Sequence, residues 1–131
     1  MPGRSHAREL AMQALFSVEI GGATPADAIA NLAADLDESE TRRFLNMLVF
    51  ETLEHRQELD RIIVSLLHDW TIDRLPTIDR VVLRMALYEL RYRPETPPAV
   101  VLDEAIGLVK RFSTEESGAF VNGLLAKAIE R

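Results

Sequence analysis

Near the N-terminus, Arg4, His6 and Arg8 bring cationic groups together just before an apolar stretch. Guanidinium groups bind phosphate through charge-assisted hydrogen bonds, so this segment suits a phosphate contact in a nucleic acid. The alternative is an ordinary solvated N-terminus, and the composition of the segment alone favours that alternative.

A second segment, residues 117–123 (SGAFVNG), combines small residues with one amide and one aromatic side chain. Small residues near a helix N-terminus expose backbone N–H groups, which suits an anion, and Phe120 could stack on a base. The alternative is close helix packing, in which Gly118 and Gly123 allow near approach and Phe120 belongs to the core.

A third segment, residues 78–90, is apolar almost throughout but contains Arg84 and Glu89. Charges on a helix that is otherwise buried must be paired or must face a partner. An internal ion pair is the better explanation for these two residues.

Side chains arranged for catalysis are not apparent. The chain has no cysteine, and His6, His55 and His68 have no partner at the usual spacing of metal ligands. Glycine-rich phosphate loops and nucleophile elbows are absent as motifs. The adjacent carboxylates Asp103 and Glu104 are typical of a solvated helix face. We therefore expect no enzyme activity, no catalytic residues, no metal site and no cofactor.

The elements that position these segments are helices. Apolar residues recur at helical spacing, strand-like alternation is missing, and glycine or proline divides the chain into about seven helices. The helix after Pro76 is apolar almost all round and should be central, and Trp70 should be tucked inward from the loop before it. We predict an all-α fold of two small packed bundles in one domain, with halves at about 1–69 and 76–131.

The overall charge limits how a nucleic acid could bind. The net charge of the 131 residues is −6, so any RNA contact must be a local patch. The N-terminus lacks a signal-peptide core and the apolar runs are too short to span a membrane. We expect a cytoplasmic protein that does not bind a membrane.

Three groups of residues, in order along almost the whole chain, resemble the NusB family of bacterial transcription antitermination factors. Ala7-Arg8-Glu9 with Gln13-Ala14-Leu15 resembles the first helix of that family. Leu83-Arg84 with residues 86–90 (ALYEL) resembles its central helix. The third group resembles its C-terminal signature and comprises Glu104-Ala105, Lys110, Phe112, Ser117 and residues 120–123 (FVNG).

The resemblance implies an all-helical fold, no catalysis, and a role in transcription antitermination of ribosomal RNA. It implies that NusE, a small-subunit ribosomal protein, binds the chain and that the heterodimer binds boxA RNA of leader transcripts. The other Nus factors and RNA polymerase complete the assembly, and a homodimer is compatible with the resemblance. The implied RNA-binding residues are Arg4, Arg8, Gln13, Ser117, Phe120 and Asn122, and the implied NusE-facing residues are Phe16 and Asp79.

The chain also departs from the family pattern at positions that matter for RNA. Ser5 and His6 interrupt an arginine-rich start that is usually denser, and position 16 is Phe where Tyr is frequent. Gly118-Ala119 lacks a basic side chain that some relatives have before the Phe. Each missing cation removes about one phosphate contact, so we expect weak RNA binding without NusE. The alternative function is a helical protein-interaction module of the same fold without sequence-specific RNA binding.

Overall fold

The computed structural model describes residues 2–36, 39–68 and 71–130. Over these ranges the chain forms seven α-helices, one short 3-10 helix at Ile72–Arg74 and no strand, which confirms the predicted all-α class. The α-helices are α1 (Pro2–Gly21), α2 (Pro25–Leu32), α3 (Ser39–Glu54), α4 (Arg56–Leu66), α5 (Thr77–Tyr92), α6 (Pro98–Phe112) and α7 (Glu115–Glu130).

The first compact unit, Met1–Glu54, contains α1, α2 and α3. The apolar stripe of α1 contacts both of the other helices. Gly22, with φ of +69°, ends α1 in a conformation that glycine adopts without strain. The side chain of Arg42 then closes the connection from α2 to α3 by donating hydrogen bonds to the carbonyls of Ala33 and Leu36. The core of this unit includes Ala7, Leu10, Ala11, Ala14, Ile29, Phe44, Leu45 and Leu48.

The second compact unit, His55–Arg131, is organised around α5, which contacts α4, α6 and α7. Every residue of α5 from Val81 to Glu89 is buried, as its nearly continuous apolar sequence predicts. The lysine and arginine in the last turn of α6, Lys110 and Arg111, complement the negative end of that helix dipole.

An ion pair between α4 and α5 confirms the internal pairing predicted for Arg84. Its Nε donates to Oδ1 of Asp60 at 2.6 Å, and its Nη2 donates to Oδ2 at 3.1 Å. A two-pronged contact of this kind fixes both helices in register because both carboxylate oxygens must be reached at once. Removing one partner of such a pair, when buried, costs about 3 kcal/mol or more.

The division into units places α4 differently from the sequence. The predicted front half, 1–69, included α4, whereas the contacts of α4 fall with α5 and α7 in the later unit. One contact that joins α4 to the later unit is the pairing of Asp60 with Arg84, which links residues 24 positions apart and has no local signature. Trp70, predicted to be tucked inward, lies outside the described residues.

Residues 113–116 (STEE) have the pattern of a capping box, which predicts that Ser113 caps α7 with Glu116 as its partner. The structure places the cap one residue later. In the structure Ser113 is the residue that ends α6, and the hydroxyl of Thr114 caps α7 by accepting the backbone N–H of Ser117 at 3.0 Å. Adjacent Ser and Thr are both good caps, so the local sequence could not separate them.

Candidate nucleic-acid interface

The two N-terminal arginines predicted to bind RNA lie beside one aromatic ring in the first unit. The guanidinium carbons of Arg4 and Arg8 lie 4.5 Å and 5.2 Å from the centroid of the Phe44 ring. Arg4 is about one-third exposed and forms a 3.7 Å ion pair with Glu40. Arg8, by contrast, is only 4% exposed. Arg4 therefore presents a cation to solvent, whereas the burial of Arg8 favours a packing role.

Two further predicted residues, Gln13 and Phe16, lie in the middle of α1. Both are half-buried. The backbone carbonyl of Gln13 accepts a hydrogen bond from the Ser17 hydroxyl at 3.1 Å. That Gln13 binds RNA and that Phe16 faces NusE both remain predictions.

In the second unit, Ser117 joins the start of α7 to α5. Its Oγ donates to Oδ2 of Asp79 at 2.7 Å and accepts from the Thr114 hydroxyl at 3.0 Å. Asp79 is 1% exposed, and its other oxygen, Oδ1, is buried and has no hydrogen-bond partner among the residues that the structure describes. A residue predicted to bind RNA and one predicted to face NusE are thus directly bonded, across 38 positions of sequence.

A pocket of about 340 Å³ lies beside this hydrogen bond. Phe120, half-buried, forms part of its wall, three residues and nearly one helical turn after Ser117. The remaining wall is built by Arg74, Leu75, Pro76, Asp79, Thr114, Glu116 and Ser117. Polar, charged and aromatic residues therefore line one small space.

Asn122 does not share that pocket. It is exposed and lines a second pocket of about 280 Å³ with Lys110 and Gly118. The close approach predicted at Gly118 is real, because a Cβ there would lie 2.8 Å from Cε of Lys110. At Gly123 the packing explanation is wrong, since a Cβ would meet no atom within 4 Å.

Sequence reasoning did not single out Arg74 or Lys110 as site residues. Arg74 is in the short 3-10 helix and Lys110 is near the end of α6, so neither is close in sequence to the signature on α7. Only tertiary contacts bring them to residues 117–122. Two sequence signals could have drawn attention to Lys110: it belongs to the group that resembles the C-terminal signature of the family, and it is one of only two lysines in the chain.

A separate charged and aromatic cluster lies where α4 meets α5. The Tyr92 hydroxyl donates to Glu58, and Nε of Arg91 lies 3.1 Å from the same carboxylate. Together they lower the pKa of Glu58, the hydrogen bond from Tyr92 being the larger cause. The bond to Glu58 also raises the pKa of Tyr92. The rings of His55 and Tyr92 stack at 4.3 Å.

None of the helices in the described ranges has the length and apolar character needed to cross a membrane.

Comparison with known proteins gives a family match over nearly the whole chain. The NusB family model matches residues 5–130. The transcription antitermination protein NusB of Geobacillus kaustophilus is 43% identical over 126 residues, which cover 95% of this chain and 93% of that protein. The NusB protein of Myxococcus xanthus is 43% identical over 130 residues, with 95% and 93% covered.

Solved structures agree in fold. A crystal structure of the antitermination factors NusB and NusE in complex with dsRNA has a TM-score of 0.89 at 29% identity, covering 97% of this chain and 96% of that one. NusB of T. maritima has a TM-score of 0.89 at 31% identity, covering 95% and 88%.

Proposed function

The chain belongs to the NusB family, and from this membership we propose that it is a transcription antitermination factor that binds boxA RNA of ribosomal RNA leader transcripts together with NusE. The similarity to a NusB in complex with NusE and dsRNA supports both partners. The other Nus factors and RNA polymerase complete the assembly. The protein acts by binding, without catalysis, in the cytoplasm.

The observation that supports this function most directly is the pocket on the second unit. Ser117 and Phe120, both nominated for RNA, line it together with Asp79. An aromatic face beside hydroxyl groups suits an unstacked base of single-stranded RNA, because any base can stack while polar groups orient its edge.

The first unit contributes a phosphate contact through Arg4. Its guanidinium rests over the Phe44 ring and leaves about a third of the side chain exposed. Stacking of this kind restricts the side chain before RNA arrives, which lowers the entropy lost on binding. Glu40 competes for the same cation, so the contact is weak alone.

Weak contacts on two proteins become one tight site when the proteins are joined. Binding of the second surface is then intramolecular, and the overall affinity exceeds that of either partner. We therefore expect the chain alone to bind boxA RNA weakly and the mixture with NusE to bind it tightly.

The test is a titration of labelled boxA-like RNA with the chain, with and without NusE, against a scrambled RNA of equal length. Phe120→Ala should weaken binding by the mixture roughly tenfold, as expected for one stacked base. Phe50→Ala is the matched control, because Phe50 is 48% exposed on α3 and far from α7 in sequence. If the chain binds NusE but the mixture does not distinguish boxA from scrambled RNA, the proposed function is wrong. The alternative of a protein-interaction module without sequence-specific RNA binding then replaces it.

A further inference from the structure

We propose that Arg74 binds a phosphate of the RNA backbone and that Arg80, near the start of α5, positions it for this contact. The inference rests on the proposed function and deepens it, because it adds a backbone contact to a site so far described through Ser117 and Phe120. The residues concerned belong to the connection between α4 and α5. A phosphate contact of this kind holds the RNA in place without reading its sequence.

The connection between α4 and α5 has little regular structure of its own. Its described residues include one turn of 3-10 helix, Ile72–Arg74. The N–H of Arg74 donates to the carbonyl of Thr71 at 3.0 Å, and the N–H of Leu75 donates to the carbonyl of Ile72 at 3.2 Å. Because so short a 3-10 segment has few hydrogen bonds and poor geometry in them, its position depends on side chains that reach it from other elements.

Arg80 reaches this segment from α5. Its Nη1 donates to the backbone carbonyls of Leu75 at 3.1 Å and Ile72 at 3.3 Å, and its Nη2 donates to the Thr77 hydroxyl at 3.4 Å. The two carbonyls flank Arg74 in the sequence. A planar guanidinium bonds several acceptors in fixed directions, which the compact ammonium of a lysine does not do. Arg80 therefore holds the backbone on both sides of Arg74.

Arg74 is the cation that this arrangement presents. It is exposed, and it lines the same pocket as Ser117 and Phe120. Among the residues that the structure describes it forms no ion pair, whereas Arg84 and Arg91 are each held by a carboxylate. A guanidinium that is supported at its backbone, open to solvent and beside the predicted RNA-binding residues suits a phosphate oxygen.

Two carboxylates in the same pocket wall limit the strength of this contact. Asp79 is almost fully buried and its Oδ2 accepts from Ser117, so its charge is engaged within the protein. Glu116 is exposed, as Arg74 is, and opposes an anion. Arg74 is the one basic residue among the described residues of the wall. The contact should therefore neutralise a single phosphate.

The salt dependence of RNA binding measures such a contact. For a single strand, each phosphate neutralised adds about 0.7 to the slope of log affinity against log salt. With NusE and boxA-like RNA, Arg74→Gln should reduce the slope by about 0.7 and weaken binding about fivefold at roughly 0.1 M salt. Arg61→Gln makes the same change of charge on an exposed residue of α4 and should leave both values unaltered.

A double-mutant cycle separates positioning by Arg80 from a general role in stability. Arg80→Gln should weaken RNA binding nearly as much as Arg74→Gln, and Arg80→Lys should do the same because it keeps the charge but loses the planar fork. In the Arg74→Gln background, Arg80→Gln should weaken binding no further, since the cation that it positions is already gone. Equal losses in the two backgrounds would refute the positioning role.

NMR of the arginine side chains tests the contact without boxA and without NusE, because a phosphate contact is independent of sequence. When the full chain is titrated with a scrambled single-stranded RNA at low salt, the Nε–H signal of Arg74 should shift and that of Arg61 should not.

The proposal is overturned if the Arg74 signal does not move at saturating RNA. It is also overturned if Arg74→Gln weakens NusE binding in the absence of RNA and leaves the salt slope unchanged, which would assign this cation to the protein partner. Both results are compatible with a NusE mixture that still distinguishes boxA from scrambled RNA. Failure of this inference and failure of the proposed function are therefore distinguishable.

Discussion

Two arginines that look equivalent in the sequence have different environments. Arg4 and Arg8 both lie beside Phe44, yet Arg8 is 4% exposed and Arg4 is about one-third exposed. A buried guanidinium contributes to packing through its methylene stem and its stacking, and little of it is open to a phosphate. Cation count alone therefore overstates the phosphate contacts that α1 offers.

This difference in burial predicts that the same substitution, Arg to Met, affects stability at position 8 and RNA binding at position 4. Arg8→Met should lower the free energy of unfolding by about 1–2 kcal/mol, in the usual range for disrupting a buried polar contact. Arg4→Met should leave stability within about 0.5 kcal/mol, as for most surface changes, but should weaken RNA binding. Urea unfolding and RNA titration of both variants check this, and a stable Arg8→Met that loses RNA affinity would contradict it.

The acid sensitivity of Glu58 is a second residue-scale prediction. Its pKa is lowered from the ordinary 4.5, first by the hydrogen bond from Tyr92 and then by the charge of Arg91. A lowered folded-state pKa stabilises the fold above the unfolded-state value and loses that contribution as the pH falls through the folded-state value. Wild type should therefore melt at a higher temperature than Glu58→Gln at pH 7, and the gap should close below about pH 4.

The control for Glu58 is Tyr92→Phe, which removes the donor and keeps the ring stacked on His55. Like Glu58→Gln, it should reduce the fall of the melting temperature between pH 7 and acid pH. An acid limb that is identical in Tyr92→Phe and wild type would show that the hydrogen bond is not the cause.

At the scale of elements, local signals predict where a helix starts but not how the helices assemble. A Thr-Pro pair at positions 24 and 25 is typical of a helix start, and in the structure the Thr24 hydroxyl caps α2 by accepting from the N–H of Asp27. The grouping of α4 with α5 includes the ion pair of Asp60 with Arg84, which no local pattern connects. In the candidate site, the α7 signature could be found from sequence, whereas Arg74 could not, because only the fold brings it to that pocket.

Two helix caps allow stability to be separated from function. Thr24 caps α2, and Thr114 caps α7 while also donating to Ser117 in the candidate site. Substituting either by Ala should cost about 1 kcal/mol of unfolding free energy. Only Thr114→Ala should also weaken RNA binding by the mixture with NusE. Equal RNA affinity in the two variants, at equal loss of stability, would contradict a functional role for the start of α7.

At the scale of the whole molecule, charge opposes the proposed ligand. The net charge is −6, and residues 1–73 hold thirteen acidic against six basic side chains. A field of this sign slows the approach of RNA and leaves binding to local contacts. The cations near the predicted RNA-binding residues are the partly exposed Arg4 in the first unit and the exposed Arg74 and Lys110 in the second, and they then set how many phosphates the chain can neutralise.

The salt dependence of RNA binding measures that number directly. For a single strand, the logarithm of the affinity falls with the logarithm of salt by about 0.7 for each phosphate neutralised. The chain alone should therefore give a shallow slope of roughly 1–2, and Arg4→Gln should reduce it by about 0.7. With NusE present the slope should steepen, because the partner adds its own phosphate contacts. Identical slopes with and without NusE would mean that NusE acts on this chain rather than on the RNA.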